Sequence, residues 1–335
     1  MSLAMTYAER RPLLAVAPMM DWTDRHCRFF HRLLTRKTLL YTEMVVADAA
    51  IHGPRDRLLA RGAEGPMAIQ LGGSDPAKLT EATRIALGYG YGEVNLNVGC
   101  PSDRVQSGAF GACLMRTPGV VARCVAAMKA VSDVPVTVKC RIGVDDQDPV
   151  AALDELYDRC REAGADAFWV HARKAWLQGL SAKENRTIPP LDYARVQALH
   201  ARADRFVGIN GGLDDVPTIR DQLTATDGVM VGRRAYQDPA ILCEFDGLLG
   251  VPSAAPDWQD VIDRMADYAE RHRREGGRVS HVTKHMVGLF TGLPGARQWR
   301  RTLSEKAMPD AGADILQEAF AHVRSALTGE TAVAA

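Results

Sequence analysis

Several features that would assign the 335-residue sequence to a class of protein are missing from it. No apolar run approaches the roughly 20 residues that span a bilayer. The first residues, 1–11, also lack the charged-then-apolar layout of a signal peptide. We therefore expect a cytoplasmic protein without a membrane segment, and no feature of the sequence calls for an obligatory protein partner.

Paired cysteines and a charge of one sign are absent as well. The seven cysteines are odd in number and include no C-x-x-C pair, so neither a disulfide framework nor a zinc site is indicated. We expect free thiols and no metal. The 41 basic residues are balanced by 41 acidic ones. This balance excludes a protein that coats nucleic acid through its overall field, and any RNA partner must bind a local patch.

Eight short, β-branched apolar runs are present, separated by spacers of helical length. They cover residues 13–19, 39–46, 67–71, 94–98, 136–142, 167–170, 206–209 and 229–231. Strands that alternate with helices indicate a parallel sheet covered by helices, and eight such units predict a (β/α)₈ TIM barrel. An open doubly wound sheet is the alternative, but the first strand–helix junction, residues 17–21, has no G-x-G-x-x-G turn.

A stretch of proline and small residues, 251–256, is typical of a linker. We predict a barrel domain over residues 1–250 and a smaller, all-helical domain over 257–335. Between residues 264 and 301, nine lysines and arginines outnumber three acids. Four other residues are interspersed with them: His281, His285, Gln298 and Trp299. This segment is either a solvated helix face or an RNA-binding surface.

Active sites of such barrels lie at the carboxyl ends of the strands, and the predicted strand ends carry polar side chains. In chain order these positions are Ala17, Pro18 and Met19, then Gln70, Asn97 and Cys100, Lys139 and Arg141, His171 and Arg173, Asn210, Gly211 and Gly212, and finally Gly232 and Arg233. Cys100 lies between Gly99 and Pro101, the two residues that end the strand before it. It is either a reactive thiol at this edge or a buried, inert cysteine.

The glycines after strands seven and eight fit a phosphate site, because backbone without side chains lets N–H groups approach phosphate oxygens. Arg233 would add a cation. The same glycines would also suit ordinary turns.

Lys139 points an ammonium into the barrel mouth, where it needs an anion. A reduced flavin offers one at its N1/O2 edge, and Gln70 can bond the pyrimidine edge of the same ring, so FMN satisfies both residues and the phosphate site. A Schiff-base lysine and a lysine that reaches solvent are the two alternatives.

Taken together, these motifs resemble the tRNA-dihydrouridine synthase family. The resemblance is carried by residues 17–19, 95–101, 108–114, 138–143, 170–173, 208–212 and 231–234, so it runs nearly from end to end. Segments 175–190 and 288–301 are similar to the bacterial type A branch in particular. Ala182 departs from that branch, in which proline is expected, and this change affects only the stiffness of a loop.

The resemblance implies an FMN enzyme that reduces the C5=C6 bond of specific uridines in the tRNA D-loop, at positions 20 and 20a, with NADPH as the reductant. Hydride passes from the flavin to C6, and Cys100 gives a proton to C5 from the opposite face; Cys113 is the rival acid. We assign the cofactor to Ala17, Pro18, Met19, Gln70, Lys139, His171, Asn210, Gly211, Gly212, Gly232 and Arg233. His171 is also a candidate for the uracil edge.

A stacked uridine must be extruded to reach a barrel mouth, and contacts to the tRNA backbone must offset that cost. We assign tRNA binding to Asn97, Arg173, Lys183, Arg186, Arg297, Arg300 and Arg301. Asn97 would contact the uracil or flavin edge, Arg173 the base or the phosphate, and the remaining cations the backbone.

Three other functions stay open at this point. A flavin barrel acting on a free pyrimidine, such as a dihydroorotate dehydrogenase, would use Lys139 and Asn97 but not a basic helical domain. A barrel that binds RNA without chemistry would hold no flavin. A Schiff-base aldolase would use Lys139 as its nucleophile.

Overall fold

The computed structural model describes residues 2–102, 105, 107–252, 255–308 and 310–328. Within this part of the chain, eight parallel strands pair in chain order and the last pairs with the first, which closes a barrel. They are β1 Leu13–Val16, β2 Leu39–Val46, β3 Met67–Gly72, β4 Glu93–Val98, β5 Val136–Arg141, β6 Ala167–His171, β7 Phe206–Asn210 and β8 Gly228–Val231. The predicted (β/α)₈ TIM barrel is confirmed.

Helices alternate with these strands and continue after them. They are α1 Leu3–Ala8, α2 Arg25–Leu34, α3 Ala47–His52, α4 Arg55–Leu59, α5 Pro76–Leu87, α6 Pro118–Lys129, α7 Pro149–Glu162, α8 Tyr193–Arg202, α9 Val216–Ala225, α10 Arg233–Gln237, α11 Phe245–Leu248, α12 Trp258–Arg274, α13 Ser280–Thr283, α14 Ala296–Glu305 and α15 Ile315–Thr328. Short 3₁₀ turns occupy Gly111–Arg116, Glu184–Arg186 and Pro239–Glu244. No helix of the described residues is long and apolar enough to cross a membrane.

Two barrel helices begin at an Asp-Pro pair. Asp75 and Asp148 each accept hydrogen bonds from two N–H groups of the first turn of α5 and α7. The proline that follows each aspartate has no N–H to satisfy and already holds a helical φ, so it is favourable at the first helical position. These local signals fix where the helices start after the strand-end loops.

The barrel interior is apolar on one side and polar on the other. A buried apolar cluster is contributed by Tyr7, Leu13, Ala15, Ala17, Leu39, Tyr41, Ala68, Ala167, Trp169, Phe206 and Met230. Strands β3, β4 and β5 instead bring the buried polar residues Gln70, Glu93, Asn95, Asn97 and Thr137. Because alternate residues of a strand face the same side, Glu93, Asn95 and Asn97 form one inward row from the floor of the barrel to its mouth.

The described chain divides into two compact units, one of residues 1–23 and 37–232 and one of residues 24–36 and 233–335. The first barrel helix, α2, therefore belongs to the second unit, as do α10 and α11, which precede the expected linker at 251–256. A compact unit is not the same as a separately folding domain, so domains over 1–250 and 257–335 stay a prediction.

The second unit has an aromatic and histidine core. Trp299 is fully buried, packs edge-on against Phe290 at 4.9 Å, and donates a hydrogen bond from Nε1 to the Met286 carbonyl at 3.0 Å. His285 is also buried and pairs with Asp24 at 3.0 Å. Trp299 and His285 therefore lie in this core and not on an exposed face, so the hypothesis of an RNA-binding surface does not extend to these two side chains.

Two glycines of the barrel interior leave room for the Trp169 indole. A Cβ atom on Gly208 would lie 2.3 Å from two ring carbons of Trp169, and one on Gly228 would lie 2.9 Å from the same ring. Both glycines face a side chain that is completely buried. Steric room, not backbone conformation, is the reason for glycine at these positions.

We expect Gly208→Ala to lower the free energy of unfolding by about 1–3 kcal/mol, the usual cost of overpacking a core. Gly119→Ala is the control, because the nearest atom to its Cβ lies 3.9 Å away, at the first turn of α6. Urea unfolding of both variants checks this, and equal midpoints would contradict the packing argument.

Candidate active site at the open end of the barrel

The turn that carries Cys100 is held from both sides by hydrogen bonds. The side-chain oxygen of Asn97 accepts the N–H groups of Gly99 at 3.2 Å and of Cys100 at 3.0 Å. The Cys100 carbonyl accepts the N–H of Ala112 at 2.8 Å. A Cβ atom on Gly111 (φ +77°) would lie 2.6 Å from that carbonyl, so only glycine fits there. The backbone of Cys100 is therefore fixed just after β4.

The two candidate thiols differ in their surroundings. Cys100 Sγ is partly exposed and lies 3.4 Å from the Ser102 hydroxyl. Cys113 Sγ donates a hydrogen bond to the Phe110 carbonyl at 3.1 Å, and burial raises the pKa of its thiol. All seven cysteines are free thiols, which confirms that expectation. Cys100 is thus the better-placed proton donor of the two, although the role itself stays a prediction.

Lys139 reaches across the barrel mouth from β5 to β7. Its Nζ donates to the Asn210 side-chain oxygen at 3.0 Å, and Asn210 in turn donates to the Met230 carbonyl at 2.7 Å. Burial, followed by the nearby charge of Arg141, lowers the pKa of Lys139 to about 8. No carboxylate of the described residues pairs with this ammonium. The site accordingly suits a ligand that brings negative charge.

His171, at the end of β6, faces the backbone of the β7 loop. A Cβ atom on Gly211 (φ +109°) would lie 2.7 Å from the imidazole ring, and Gly212 has φ +65° as well. Burial, with Arg141 as the next cause, lowers the pKa of His171 well below its usual range. Its Nε2 is shielded from solvent and has no hydrogen-bond partner among the described residues. A buried ring nitrogen without a partner fits a site that a polar ligand completes.

Arg141, at the end of β5, joins two loops of the candidate site. Its buried guanidinium donates to the carbonyls of Gly99 at 3.1 Å, Lys174 at 3.2 Å and Asn185 at 2.9 Å. Burial lowers its pKa to about 10. One side chain therefore ties the Cys100 turn to the long loop after β6. Its position two residues after Lys139, on the same face of β5, was the available signal.

The loop after β6 is organised around Asn185, a second residue that sequence reasoning missed. The fully buried Asn185 amide accepts the N–H of Trp176 at 2.7 Å and donates to the carbonyls of Trp176 and Leu180 at 2.8 and 3.1 Å. Lys183 and Arg186 are exposed on this loop. Arg173 donates to the Pro189 carbonyl at the end of the same loop, so it also holds the loop in place.

The buried side chain of Gln70 bonds two other amides inside the barrel. Its side-chain nitrogen donates to Asn95 at 2.8 Å, and its side-chain oxygen accepts from Asn97 at 2.7 Å. Each atom retains one further hydrogen-bonding position. Its predicted contact with a flavin edge stays a prediction.

The first and last strands meet next to these residues. The Ala17 N–H donates to the Val231 carbonyl at 2.8 Å. A Cβ atom on Gly232 would lie 3.9 Å from Ala17 and 4.0 Å from Met19, which is ordinary contact distance. The Ala17–Pro18–Met19 segment thus lies beside Gly232, as a shared cofactor site requires.

Helix α14 of the second unit presents three arginines on one exposed face. Arg297, Arg300 and Arg301 lie at helical spacings of three and four residues and line a shallow depression with Ser304 and Glu305. Arg301 pairs with Glu305 at 2.8 Å. Arg297 and Arg300 make no ion pair with the described residues, so their charge is available to an anionic partner.

The structure brings most of the predicted residues together at the strand ends of the first unit. They are Ala17, Pro18, Met19, Gln70, Asn97, Cys100, Lys139, His171, Arg173, Asn210, Gly211, Gly212 and Gly232. Arg233 begins α10 and belongs to the second unit with the α14 arginines, so its role as the phosphate cation stays a prediction. Among the described residues, no group of three His, Cys, Asp or Glu side chains could hold a metal ion.

Comparison with known proteins gives a consistent result. The family model described as dihydrouridine synthase matches residues 15–324. A tRNA-dihydrouridine(20/20a) synthase of Vibrio vulnificus is 52% identical over 314 residues, covering 92% of this chain and 96% of its own. The enzyme of the same name from Shewanella oneidensis is 51% identical, with 94% and 95% covered. That of Escherichia coli K12 is 54% identical, with 90% and 88% covered.

We expect Arg141→Lys to loosen both loops that the guanidinium joins, because one ammonium cannot reproduce a planar fork directed at three carbonyls. The loss of hydrogen bonds to a charged group should reduce stability by about 1.5–3 kcal/mol. Hydrogen–deuterium exchange should quicken in peptides covering residues 99–100 and 174–186. Unchanged exchange in both peptides would show that the loops do not depend on Arg141.

Proposed function

Because the chain belongs to the dihydrouridine synthase family, we propose that it reduces the C5=C6 bond of specific uridines in tRNA to 5,6-dihydrouridine. The observation that carries the proposal is the thiol of Cys100, a residue whose backbone is held by Asn97 at the same ring of strand ends as Lys139 and His171. The names of the relatives extend it to positions 20 and 20a, in the D-loop. A tRNA substrate also implies the cytoplasm as the compartment.

The residues at the barrel mouth suit FMN as the cofactor. Lys139 has no carboxylate partner among the described residues, and His171 Nε2 has no partner there at all, so both gain from a ligand with anionic and polar edges. FMN, when bound, supplies the hydride that adds to C6, and NADPH restores the reduced cofactor.

The chain would hold this cofactor in three ways. Lys139 and Gln70 would bind the flavin edge, and Ala17, Pro18 and Met19 would line it. The backbone at Gly211, Gly212 and Gly232 would hold the phosphate, where the absence of Cβ atoms lets N–H groups approach oxygen atoms. Arg233 would add a positive charge.

Cys100 would complete the reduction by giving its thiol proton to C5. The thiolate that remains would take a proton from water before the next turnover. Asn97 and His171 would hydrogen-bond the uracil or flavin edge, and Arg173 would help to place the base or the phosphate. Cys113 is less suited to the role of acid because its S–H is engaged by the Phe110 carbonyl.

Contacts to the tRNA backbone would offset the few kcal/mol needed to extrude the base. The exposed α14 arginines, together with Lys183 and Arg186, would provide them by binding phosphates and recognising shape more than sequence. Three alternatives are disfavoured: an aldolase, a dihydroorotate dehydrogenase and an inert RNA-binding barrel. The family model that matches residues 15–324 is that of the dihydrouridine synthases, which belong to none of these classes.

The main test is the Cys100→Ala variant in a strain whose own dihydrouridine synthase gene has been deleted. We expect the wild-type chain to restore dihydrouridine in the tRNA, seen by mass spectrometry. Cys100→Ala should form almost none, because C5 then lacks a proton donor. Purified Cys100→Ala should still contain FMN and oxidise NADPH.

Cys113→Ala is the matched control and should keep most of the product yield. Wild-type product from Cys100→Ala would remove Cys100 from the mechanism. If the wild-type protein could not be loaded with FMN, the assignment of FMN as its cofactor would be wrong.

A second test concerns tRNA binding. The double variant Arg297→Ala/Arg300→Ala should bind tRNA about tenfold or more weakly while its FMN content stays unchanged, because each arginine removed costs a phosphate contact. Its binding should also depend less steeply on salt. Filter binding at several salt concentrations measures both effects.

Arg159→Ala is the control, since Arg159 is an exposed arginine of α7 paired with Glu155. Equal weakening by both changes would point to a general charge effect and away from a dedicated surface on α14.

A further inference from the structure

A continuous row of side-chain hydrogen bonds descends from the Cys100 turn into the barrel. The Gly99 and Cys100 N–H groups donate to Asn97 Oδ1. Asn97 Nδ2 donates to Gln70 Oε1 at 2.7 Å, and Gln70 Nε2 donates to Asn95 Oδ1 at 2.8 Å. Three amides of two neighbouring strands are thus joined in series.

The row continues to a carboxylate at the barrel floor. Asn95 Nδ2 donates to the Thr137 hydroxyl at 2.7 Å, and that hydroxyl donates to Glu93 Oε1 at 2.5 Å. Glu93 also accepts the hydroxyls of Tyr7 and Tyr41. Glu93 is fully buried at the first position of β4.

Every bond in this row runs in the same direction, from the Cys100 backbone to the Glu93 carboxylate. Burial raises the pKa of Glu93 to about 7. The ionised carboxylate can only accept, and when Oε2 carries the proton, Oε1 still accepts the Thr137 and Tyr41 hydroxyls that converge on it. In both forms the Thr137 hydroxyl therefore donates downward and accepts from Asn95. The nitrogen of Asn95 then faces down and its oxygen faces Gln70, and the same logic orients the two amides above. A reversed Asn97 would place its NH₂ group against two backbone N–H donors. The two ends of the row are the Gly99 and Cys100 N–H groups above and the Glu93 carboxyl group below. Both ends require the same orientation of the three amides between them.

Burial makes this orientation costly to lose. Gln70, Asn95 and Thr137 are at most 1% exposed, so water cannot replace a missing partner. Each reversal would set two donors or two acceptors against each other in the barrel interior. The donors and acceptors that Gln70 and Asn97 present at the mouth are thereby fixed from the floor.

We propose that Thr137 and Glu93 are positioning residues, which set the orientation of the Gln70 and Asn97 amides and hold the Cys100 turn from inside the barrel. Neither touches the ligand site. The proposal rests on the proposed function for its effect on FMN and uridine, but not for its effect on the turn itself. Thr137 is the informative residue, because its hydroxyl is the link between the carboxylate and the amides.

The test compares Thr137→Val, which keeps the volume and removes the link, with Thr137→Ser, which keeps the hydroxyl. In the protein without added cofactor, exchange of the Gly99 and Cys100 amides should be about tenfold or more faster in the valine variant and near wild type in the serine variant. Hydrogen–deuterium exchange read by mass spectrometry on the peptide containing them measures this. Wild-type exchange in Thr137→Val would overturn the proposal.

Tyr41→Phe is the matched control. It removes a hydroxyl bonded to the same Glu93 carboxylate but leaves the row of amides intact. We expect exchange of the Cys100 turn to stay near wild type in Tyr41→Phe. If Tyr41→Phe and Thr137→Val accelerated amide exchange equally, the effect would be a general loss of stability. The proposed positioning role of Thr137 would then be wrong.

FMN binding supplies a second readout. The dissociation constant, measured by quenching of flavin fluorescence, should rise about tenfold or more in Thr137→Val and stay within about twofold in Thr137→Ser and Tyr41→Phe. An unchanged flavin absorbance spectrum and affinity in the valine variant would contradict the orientation of Gln70. If the wild-type chain bound no FMN, the proposed function would fail, while the exchange comparison would still decide on the turn.

Should Thr137→Val not fold, Thr137→Cys takes its place, because a thiol fills the space but is a weak donor and acceptor. Its exchange and FMN affinity are compared with those of Thr137→Ser in the same way. Faster exchange supports the proposal, and equal exchange overturns it.

Discussion

Two successive backbone N–H groups donate to one side-chain oxygen of Asn97, and the candidate site depends on this interaction. It bends the chain immediately after β4 and fixes the peptide of Cys100, while Arg141 and Ala112 hold the same turn from other directions. A thiol on an unrestrained loop would sample many positions. Here the strand ends, the turn and the loop after β6 are connected through a few buried polar groups, so the thiol has a defined place.

The electrostatics of the mouth follow from burial within a chain that carries no net charge. Lys139 and Arg141 both have lowered pKa values, chiefly because burial disfavours their charged forms, and His171 stays neutral for the same reason. A positive, desolvated mouth without a carboxylate partner for Lys139 among the described residues is costly on its own. An anionic ligand would offset this cost, so this local region would be selective for anions although the whole chain is neutral.

The strands and the Cys100 turn could be predicted from the sequence because their signals are local. Apolar runs define strands, and Gly99 and Pro101 end one of them. The three carbonyls that Arg141 bonds could not be predicted, because they lie 33 to 44 residues away and any residue supplies a carbonyl. The partners of Asn185 are close in sequence, but they too are backbone groups, which leave no sequence pattern. The burial of Trp299 could not be predicted for a related reason: a tryptophan among arginines has the same sequence pattern whether it faces solvent or a core.

Helix α2 joins a unit whose other members are at the far end of the chain. The His26 ring nitrogen Nδ1 hydrogen-bonds the Tyr268 hydroxyl at 2.8 Å, and the Phe29 ring stacks on the Tyr268 ring with a centroid distance of 4.1 Å. His26 and Tyr268 are separated by 242 residues in the sequence. At roughly 5–20 residues per second, a ribosome needs on the order of 10–50 s to travel that far. During this interval the nascent α2 lacks the Tyr268 ring, so these contacts of the second unit form only after α12 has been synthesised.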